Sequence, residues 1–399
     1  MKVAMIGQKG IPAIHGGVER HVEELAVRLA ARGHEVVVYT RPHFTSRDMK
    51  HYRRVQLVSL PTIKTKHLDA ISHTIFSTIH AVRHGADIIH YHGVGPSLVA
   101  FIPKLMRSKA KVITTFHCVD RKHKKWGFVA RQALRHGEWS AVNLPDQTIV
   151  VSKTLQKYVA NVFGKNVPYI PNGIEPQPQR PRAMTTTLKR FGLKPNEYIV
   201  SVSRLIAHKG IHHLISAFRR TDTKMKLVIV GDGVFTDEYV QYLHQLAEDD
   251  PRIIFTGFQN GQPLRDLFRN AALYVLPSEA EGLPIALLEA ASYGVGIIAS
   301  DIPENREVIY AERMPIGTTF ATGDDEDLQR VLGDALRRPA QTQQMAERAR
   351  KIVNTHFNWE DVTNKTEAVY RRLMNSTRRV PIQDHSSQRT EWVTVATRG

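Results

Sequence analysis

The stretch 16-GGVERHVEELAVRLAARGHEVVVYT-40 changes its periodicity once, at Gly33. Before it, Val18, Val22, Leu25, Ala26 and Leu29 recur at the spacing of one helix face, so residues 16–33 read as a helix with Gly33 as its stop. After it, 35-EVVVYT-40 is a short run of β-branched and aromatic residues and reads as a strand. Another apolar run, 2-KVAMIG-7, precedes the helix. Strand, helix, strand is the repeating unit of a parallel sheet. Runs of the same kind follow at 87-DIIHYHG-93, 111-KVITTFH-117 and 147-QTIVVS-152, with helical stretches between them. The first half is expected to be a doubly wound α/β domain.

The alternation stops at 171-PNGIEPQPQRPRA-183, whose four prolines and one glycine read as a linker. It resumes with 198-YIVSVSRL-205, 226-KLVIVGDG-233, 252-RIIFTGF-258, 272-ALYVLPS-278 and 296-GIIASD-301. The expected organisation is a Rossmann-like domain over 1–173, a second over 184–355, a C-terminal helix within 356–375 and a polar tail, 376–399, with too little apolar periodicity to pack. Two α/β domains in series face each other across a cleft, and open parallel sheets bind ligands just beyond the carboxyl ends of their strands.

Composition narrows the class. The chain has 399 residues, enough for two cores, and a single cysteine, Cys118, so no intrachain disulfide is possible and a reducing compartment is expected. The opening MKVAMIGQKG reads as a first strand rather than a signal peptide, and no uncharged run approaches the roughly 20 residues of a membrane span. The net charge of +17 is uneven: residues 1–173 hold 26 Lys and Arg against 10 Asp and Glu, the remainder 29 against 28. A basic first half is either a solvated surface or one that meets an anionic partner, such as lipid headgroups, a phosphorylated acceptor or nucleic acid.

The residues with chemistry lie after strands. In 278-SEAEGLPIALLEA-290, Glu281 and Glu289 flank seven apolar or small residues. Pro284 suits the first turn of a helix, which puts Glu281 in the preceding loop and Glu289 inside the helix, both near free backbone N–H groups that attract anions. Carboxylates beside an anion site would accept hydrogen bonds from hydroxyls attached to that anion. Arg204 and Lys209, five apart after the first strand of the second half, are either surface charge or a diphosphate clamp. Gly16-Gly17 is either a plain turn or a close approach to phosphate; the G-x-G-x-x-G fingerprint is absent, which disfavours a dehydrogenase. His117 ends a strand and is either structural or faces the cleft. His90 and His92 point the same way along a strand, but no third metal ligand is apparent and no metal is expected.

Taken together these motifs resemble the family 4 glycosyltransferases, retaining enzymes of the two-Rossmann GT-B architecture, over about residues 1–374. The resemblance rests on 16–40, TTFH, IVVS, IPNGIE, VSRLIAHKG, VGDG, FTGF and above all PSEAEGLPIALLEAASYGVGIIASD. One departure is Glu175, where the family often has Asp. The resemblance implies a nucleotide-diphosphate sugar as donor substrate and no cofactor. It also implies roles: Arg204 and Lys209 on the diphosphate, Glu289 on the ribose, Glu281 with the backbone near Leu283, Pro284 and Ile285 on the sugar and phosphates. His117 would sit against the sugar, and Gly16 and Gly17 would close over the diphosphate.

The segment 118-CVDRKHKKWGFVARQALRHGEWSAVNLPD-146 sets Arg121, Lys122, Lys124 and Lys125 beside Trp126, Phe128 and Trp139. Cations beside interfacial aromatics suit a membrane surface; an amphipathic helix with core aromatics is the other reading. The segment also resembles one in bacterial family members that build surface polysaccharides on lipid carriers. This favours a lipid-linked acceptor and a cytoplasmic enzyme peripheral to an anionic membrane. A sugar-nucleotide epimerase of the same plan is the alternative within enzymes. A nucleic-acid-binding protein is suggested by the charge alone, without a binding motif, and no nucleic acid is expected as a partner.

Overall fold

Among the described residues, thirteen strands form two separate sheets. The structure is a computed structural model describing residues 1–14, 16–63, 65, 68–119, 128–233, 237–248 and 250–375, without the side chains of 128–131. The first sheet holds β1 (Lys2–Ile6), β2 (Glu35–Thr40), β3 (His51–Tyr52), β4 (Val55–Ser59), β5 (Ile88–His92), β6 (Lys111–Phe116) and β7 (Gln147–Val150) in the order β3-β4-β2-β1-β5-β6-β7. The second holds β8 (Tyr198–Val202), β9 (Lys226–Val230), β10 (Ile253–Gly257), β11 (Leu273–Leu276), β12 (Gly296–Ser300) and β13 (Thr318–Phe320) in the order β10-β9-β8-β11-β12-β13. Every pairing is parallel except β3 with β4. The expected α/β class, two Rossmann-like units facing one another, is what the chain adopts.

Three strands escape the sequence pattern. β3 and β4 are interrupted by Arg53 and Arg54, both at positive φ in the turn between them, so no continuous apolar run exists to detect. β13 is three residues long, begins with an exposed threonine and pairs only with β12.

The helix Gly17–Ala31 packs its Val22, Leu25, Ala26 and Leu29 on the first sheet, against Val3, Met5 and Val36. Its other neighbour comes from the far end of the chain. The helix Trp359–Asn375 shares that core through Trp359, Val362, Val369 and Tyr370. Charge fixes the register of the two helices: Arg28 and Arg32 both reach Glu360, and Arg32, His34 and Arg371 converge on Glu367. Those three partners hold the Glu367 carboxyl down at about 2, against the cost of its burial. The C-terminal helix thus closes the first domain although the chain reaches it through the second.

Two strands of chain therefore cross between the domains, and they pair. Ile174 bridges Asn358, with the Ile174 N–H donating to the Phe357 carbonyl at 2.7 Å. Gly173 is needed there: a Cβ would stand 2.8 Å from the Trp359 ring and backbone. On the opposite side, Glu307 of the second domain accepts from the Lys153 N–H at 2.8 Å, at the N-terminus of the helix Lys153–Phe163. A carboxylate there meets free amides and the positive end of the helix dipole.

His90 lies fully buried under the C-terminal helix, its ring nitrogens 2.7 Å from the Tyr370 hydroxyl and 2.7 Å from the Thr115 hydroxyl. Tyr370→Phe removes one of these partners and leaves a buried nitrogen unpaired, which costs about 1–3 kcal/mol. Urea unfolding of the variant is expected to show a loss of that size with the slope unchanged; equal midpoints would show that the hydroxyl contributes nothing.

Candidate active site

The helix Ile285–Ser292 starts directly behind β11, after a loop of eight residues. Pro284 stands one position earlier than expected, at the N-cap (φ −75°, ψ 105°), because its extended ψ keeps it outside the helix while its carbonyl accepts from the Leu288 N–H at 3.3 Å. Glu281 lies in the loop and Glu289 in the second turn of the helix. Glu281 is held by the Lys209 ammonium at 2.5 Å, both side chains being at least 85% buried. No hydrogen bond or ion pair among the described residues engages the Glu289 carboxylate. Burial raises its carboxyl above the usual range, while Arg20, from the helix Gly17–Ala31 of the other domain, draws it back.

Lys209 and Arg204 are placed by tight loop packing. The backbone after β8 passes so close to Gly231 that a Cβ there would be 1.8 Å from the Ser203 carbonyl. This gives the VGDG sequence a structural reason. Gly210 at φ +66° likewise faces the Pro277 carbonyl, where a Cβ would stand at 2.0 Å. The Glu279 N–H donates to the His208 carbonyl at 2.8 Å, lacing the loop after β8 to the loop after β11. Lys209 ends a short 3-10 turn and points into the site, whereas Arg204 is exposed.

The first domain supplies the other wall. Gly17 faces Ile285 Cδ1, with 3.6 Å left for a Cβ, so the two helix N-termini meet. Gly16, at φ +99°, is packed on the Glu19 carboxylate, which also accepts from the Lys9 N–H at 3.1 Å. The His117 carbonyl touches Gly282, where a Cβ would be 1.8 Å away; only glycine lets the domains approach so closely. The His117 imidazole turns inward, its Nε2 3.3 Å from His92 Nδ1.

Here the structure corrects one expectation. His92 has two further imidazoles beside it, His117 and His21, while His90, its ring centre 4.2 Å from that of His92, turns its nitrogens to Tyr370 and Thr115 instead. His21 comes from a helix about seventy residues upstream, which the spacing along one strand could not reveal. Its position between Val18 and Leu25 on the buried helix face was the available signal. Asn172 was missed altogether. Its Nδ2 donates to the Leu283 carbonyl at 2.8 Å and its Oδ1 accepts from His21 Nδ1 at 2.9 Å, so a linker residue joins the helix of one domain to the loop of the other.

Burial keeps these imidazoles neutral: His21 is lowered to about 4, eased slightly by Asn172, and His90 to about 3, with nearby His21 adding to the effect. On unfolding they return to about 6.5, so between pH 6.5 and about 4 the unfolded chain binds protons that the folded chain does not. Stability must fall as pH drops through that window. Melting temperature measured from pH 7.5 to 4.5 is expected to hold above 6.5 and decline below it; a flat profile would contradict the burial of neutral histidines.

Two parallel-sheet domains meeting at a helix N-terminus, with cations and carboxylates from one side and imidazole from the other, make up the GT-B architecture of glycosyltransferases. Residues 15–178 match the family model described as Glycosyltransferase Family 4, and residues 185–352 match Glycosyl transferases group 1. The chain belongs to this glycosyltransferase family. It is 26% identical to glycogen synthase of Mycobacterium tuberculosis, across 97% of this chain and 99% of that one. Its fold superposes on sucrose-phosphate synthase from Thermosynechococcus elongatus with a TM-score of 0.82 at 21% identity, covering 94% of this chain and 99% of that one. HepE from Anabaena, in complex with UDP and glucose, superposes with a TM-score of 0.78 at 20% identity, covering 93% and 100%. The enzyme is a glycosyltransferase.

Proposed function

We propose that the enzyme transfers a sugar, with retention, from a nucleotide-diphosphate sugar to an acceptor hydroxyl. The observation that carries this reading is the Lys209–Glu281 pair beside an unengaged Glu289 at one helix N-terminus. Amides and a cation there suit phosphates, and carboxylates suit hydroxyls attached to them. The shared fold of HepE, bound to UDP and glucose, supports the same donor class. Lys209 and Arg204 hold the diphosphate, with the N–H groups near Leu283 and Ile285; Pro284 has none to offer. Glu289 takes the ribose hydroxyls, Glu281 the transferred sugar, and Gly16 and Gly17 close over the phosphates. His117 stands against the sugar from the first domain. The acceptor attacks the face the diphosphate leaves, and the departing phosphate takes its proton.

Arg204, Lys209 and the helix amides neutralise the leaving group as Mg²⁺ does elsewhere. Transfer is therefore expected to persist in excess EDTA. Glu289→Ala removes a charged hydrogen-bond partner, for which about 1.5–3 kcal/mol, or roughly 10- to 100-fold in donor KM, is expected. Glu281→Ala is expected to lower kcat as well. A panel of UDP-, GDP-, ADP- and dTDP-sugars, scored by thermal stabilisation, identifies the base. Wild-type rates in both variants, or Mg²⁺-reversible loss in EDTA, would overturn the assignment.

The acceptor is proposed to be lipid-linked, reached from an anionic membrane surface. No described helix is long and apolar enough to cross a membrane. Arg121, Lys122, Lys124, Lys125 and Trp126 lie outside the described residues, as do the Phe128 side chain and the 376–399 tail. Trp139 is described, and it is 52% exposed rather than core. Nearby, Phe101 and Leu105 are 48% and 74% exposed, and Lys104 between them reaches the Leu144 carbonyl just beyond Trp139's helix. Arg107, Lys109 and Arg135, a few residues away along the chain, are exposed as well. Exposed apolar anchors with cations close by in the chain suit reversible attachment, at about 1 kcal/mol per basic residue near an anionic surface. Co-sedimentation with phosphatidylglycerol vesicles is expected to fall with salt and with Leu105→Ser and Trp139→Ser together. Equal binding to neutral vesicles, or none to either, removes the membrane from the reading.

A further inference from the structure

His21, His92 and His117 come from three different elements: the first helix, the end of β5 and the residue after β6. They are 2%, 2% and 7% exposed. One ring nitrogen of each lies within 4.8 Å of the other two. Their ring centres form a nearly equilateral triangle, 4.9 Å from His21 to His117 and 5.6 Å on each other side. Imidazole nitrogens held at about 2.0–2.1 Å by one tetrahedral ion stand roughly 3.3 Å apart, with ring centres about 5 Å apart. The His92–His117 nitrogen separation is 3.3 Å, long for a hydrogen bond and right for two ligands of one ion.

A further observation points the same way. Asn172 donates to the Leu283 carbonyl, so its oxygen must accept from His21 Nδ1, which leaves His21 Nε2 as a bare lone pair. Metal-bound histidines are oriented by an outer partner of this kind.

We propose that His21, His92 and His117 form a binding site for a borderline divalent cation, Zn²⁺ above all. Three neutral ligands leave one position of a tetrahedral ion for water or an anion. Because the ion would engage His117, occupancy competes with the donor sugar; that consequence, unlike the site itself, rests on the transfer reading above. A second cluster, His212, His213 and Glu279, is half-buried, and its histidines are already engaged by Tyr239 at 2.9 Å and Asp325 at 2.6 Å. It serves as the control.

Chelator-treated, full-length enzyme is titrated with Zn²⁺ by calorimetry and with Co²⁺ by visible absorption, without donor or acceptor, so that metal uptake is judged apart from catalysis. One tight equivalent and intense four-coordinate Co²⁺ bands are expected. His92→Ala should abolish that equivalent, Asn172→Ala should weaken it by about 10- to 100-fold, as loss of an outer partner does, and His212→Ala with His213→Ala should leave it intact. Should His92→Ala fail to fold, the wild-type Co²⁺ spectrum decides alone. Six-coordinate bands, no tight equivalent, or a tight equivalent that survives His92→Ala or vanishes in the His212/His213 variant would overturn the proposal.

Discussion

The His117 carbonyl and the Cα of Gly282 occupy a gap that no side chain could enter. This contact sets how near the two sheets come, and the rest of the site depends on it. With the loop 281–284 pressed against the end of β6, Asn172 can reach both His21 and Leu283, and Gly17 can lie against Ile285. Any larger residue at position 282 would hold the domains apart. The helix N-terminus would then face water instead of the opposite wall, and its amides would lose the low-dielectric surroundings in which they act most strongly on charge.

Within that closed space charge is distributed in unequal parts. Lys209 and Glu281 neutralise one another, so their burial is tolerated, whereas among the described residues Glu289 has only the more distant Arg20 as counter-charge. A buried carboxylate without a close partner is energetically costly. The raised carboxyl of Glu289 expresses that cost, and hydrogen bonds from a bound ligand would relieve it. The second domain thus carries a buried carboxylate whose counter-charge, Arg20, belongs to the first.

Much of this was legible in the sequence. Long, regular strands such as β2 and β5, and the apolar stripe of Gly17–Ala31, follow directly from periodicity, because backbone pairing and burial act on neighbours in the chain. Glu281, Glu289, Arg204 and Lys209 could be singled out as candidates because open parallel sheets bind ligands just beyond the carboxyl ends of their strands. What could not be read was pairing at a distance. Lys209 and Glu281 are 72 residues apart, His21 and Asn172 are 151 apart, and His90 and Tyr370 are 280 apart. In each case a polar atom is satisfied by a partner whose position depends on the whole tertiary arrangement, and no local pattern encodes it. The edge strands β3 and β13 failed for the opposite reason: with a single neighbour each, they need little apolar character.

The return of the chain to the first domain has a further consequence. The segments around Ile174 and Asn358 run side by side between the domains, joined by backbone hydrogen bonding and by the Trp359 ring on Gly173. The two segments thus cross between the domains as one paired connection rather than as two independent tethers. It also makes the first domain discontinuous along the chain. Cutting after the second domain would strip Trp359, Val362 and Tyr370 from the core beneath Gly17–Ala31, so the two domains, separate in architecture, must be synthesised to the end before the first is complete.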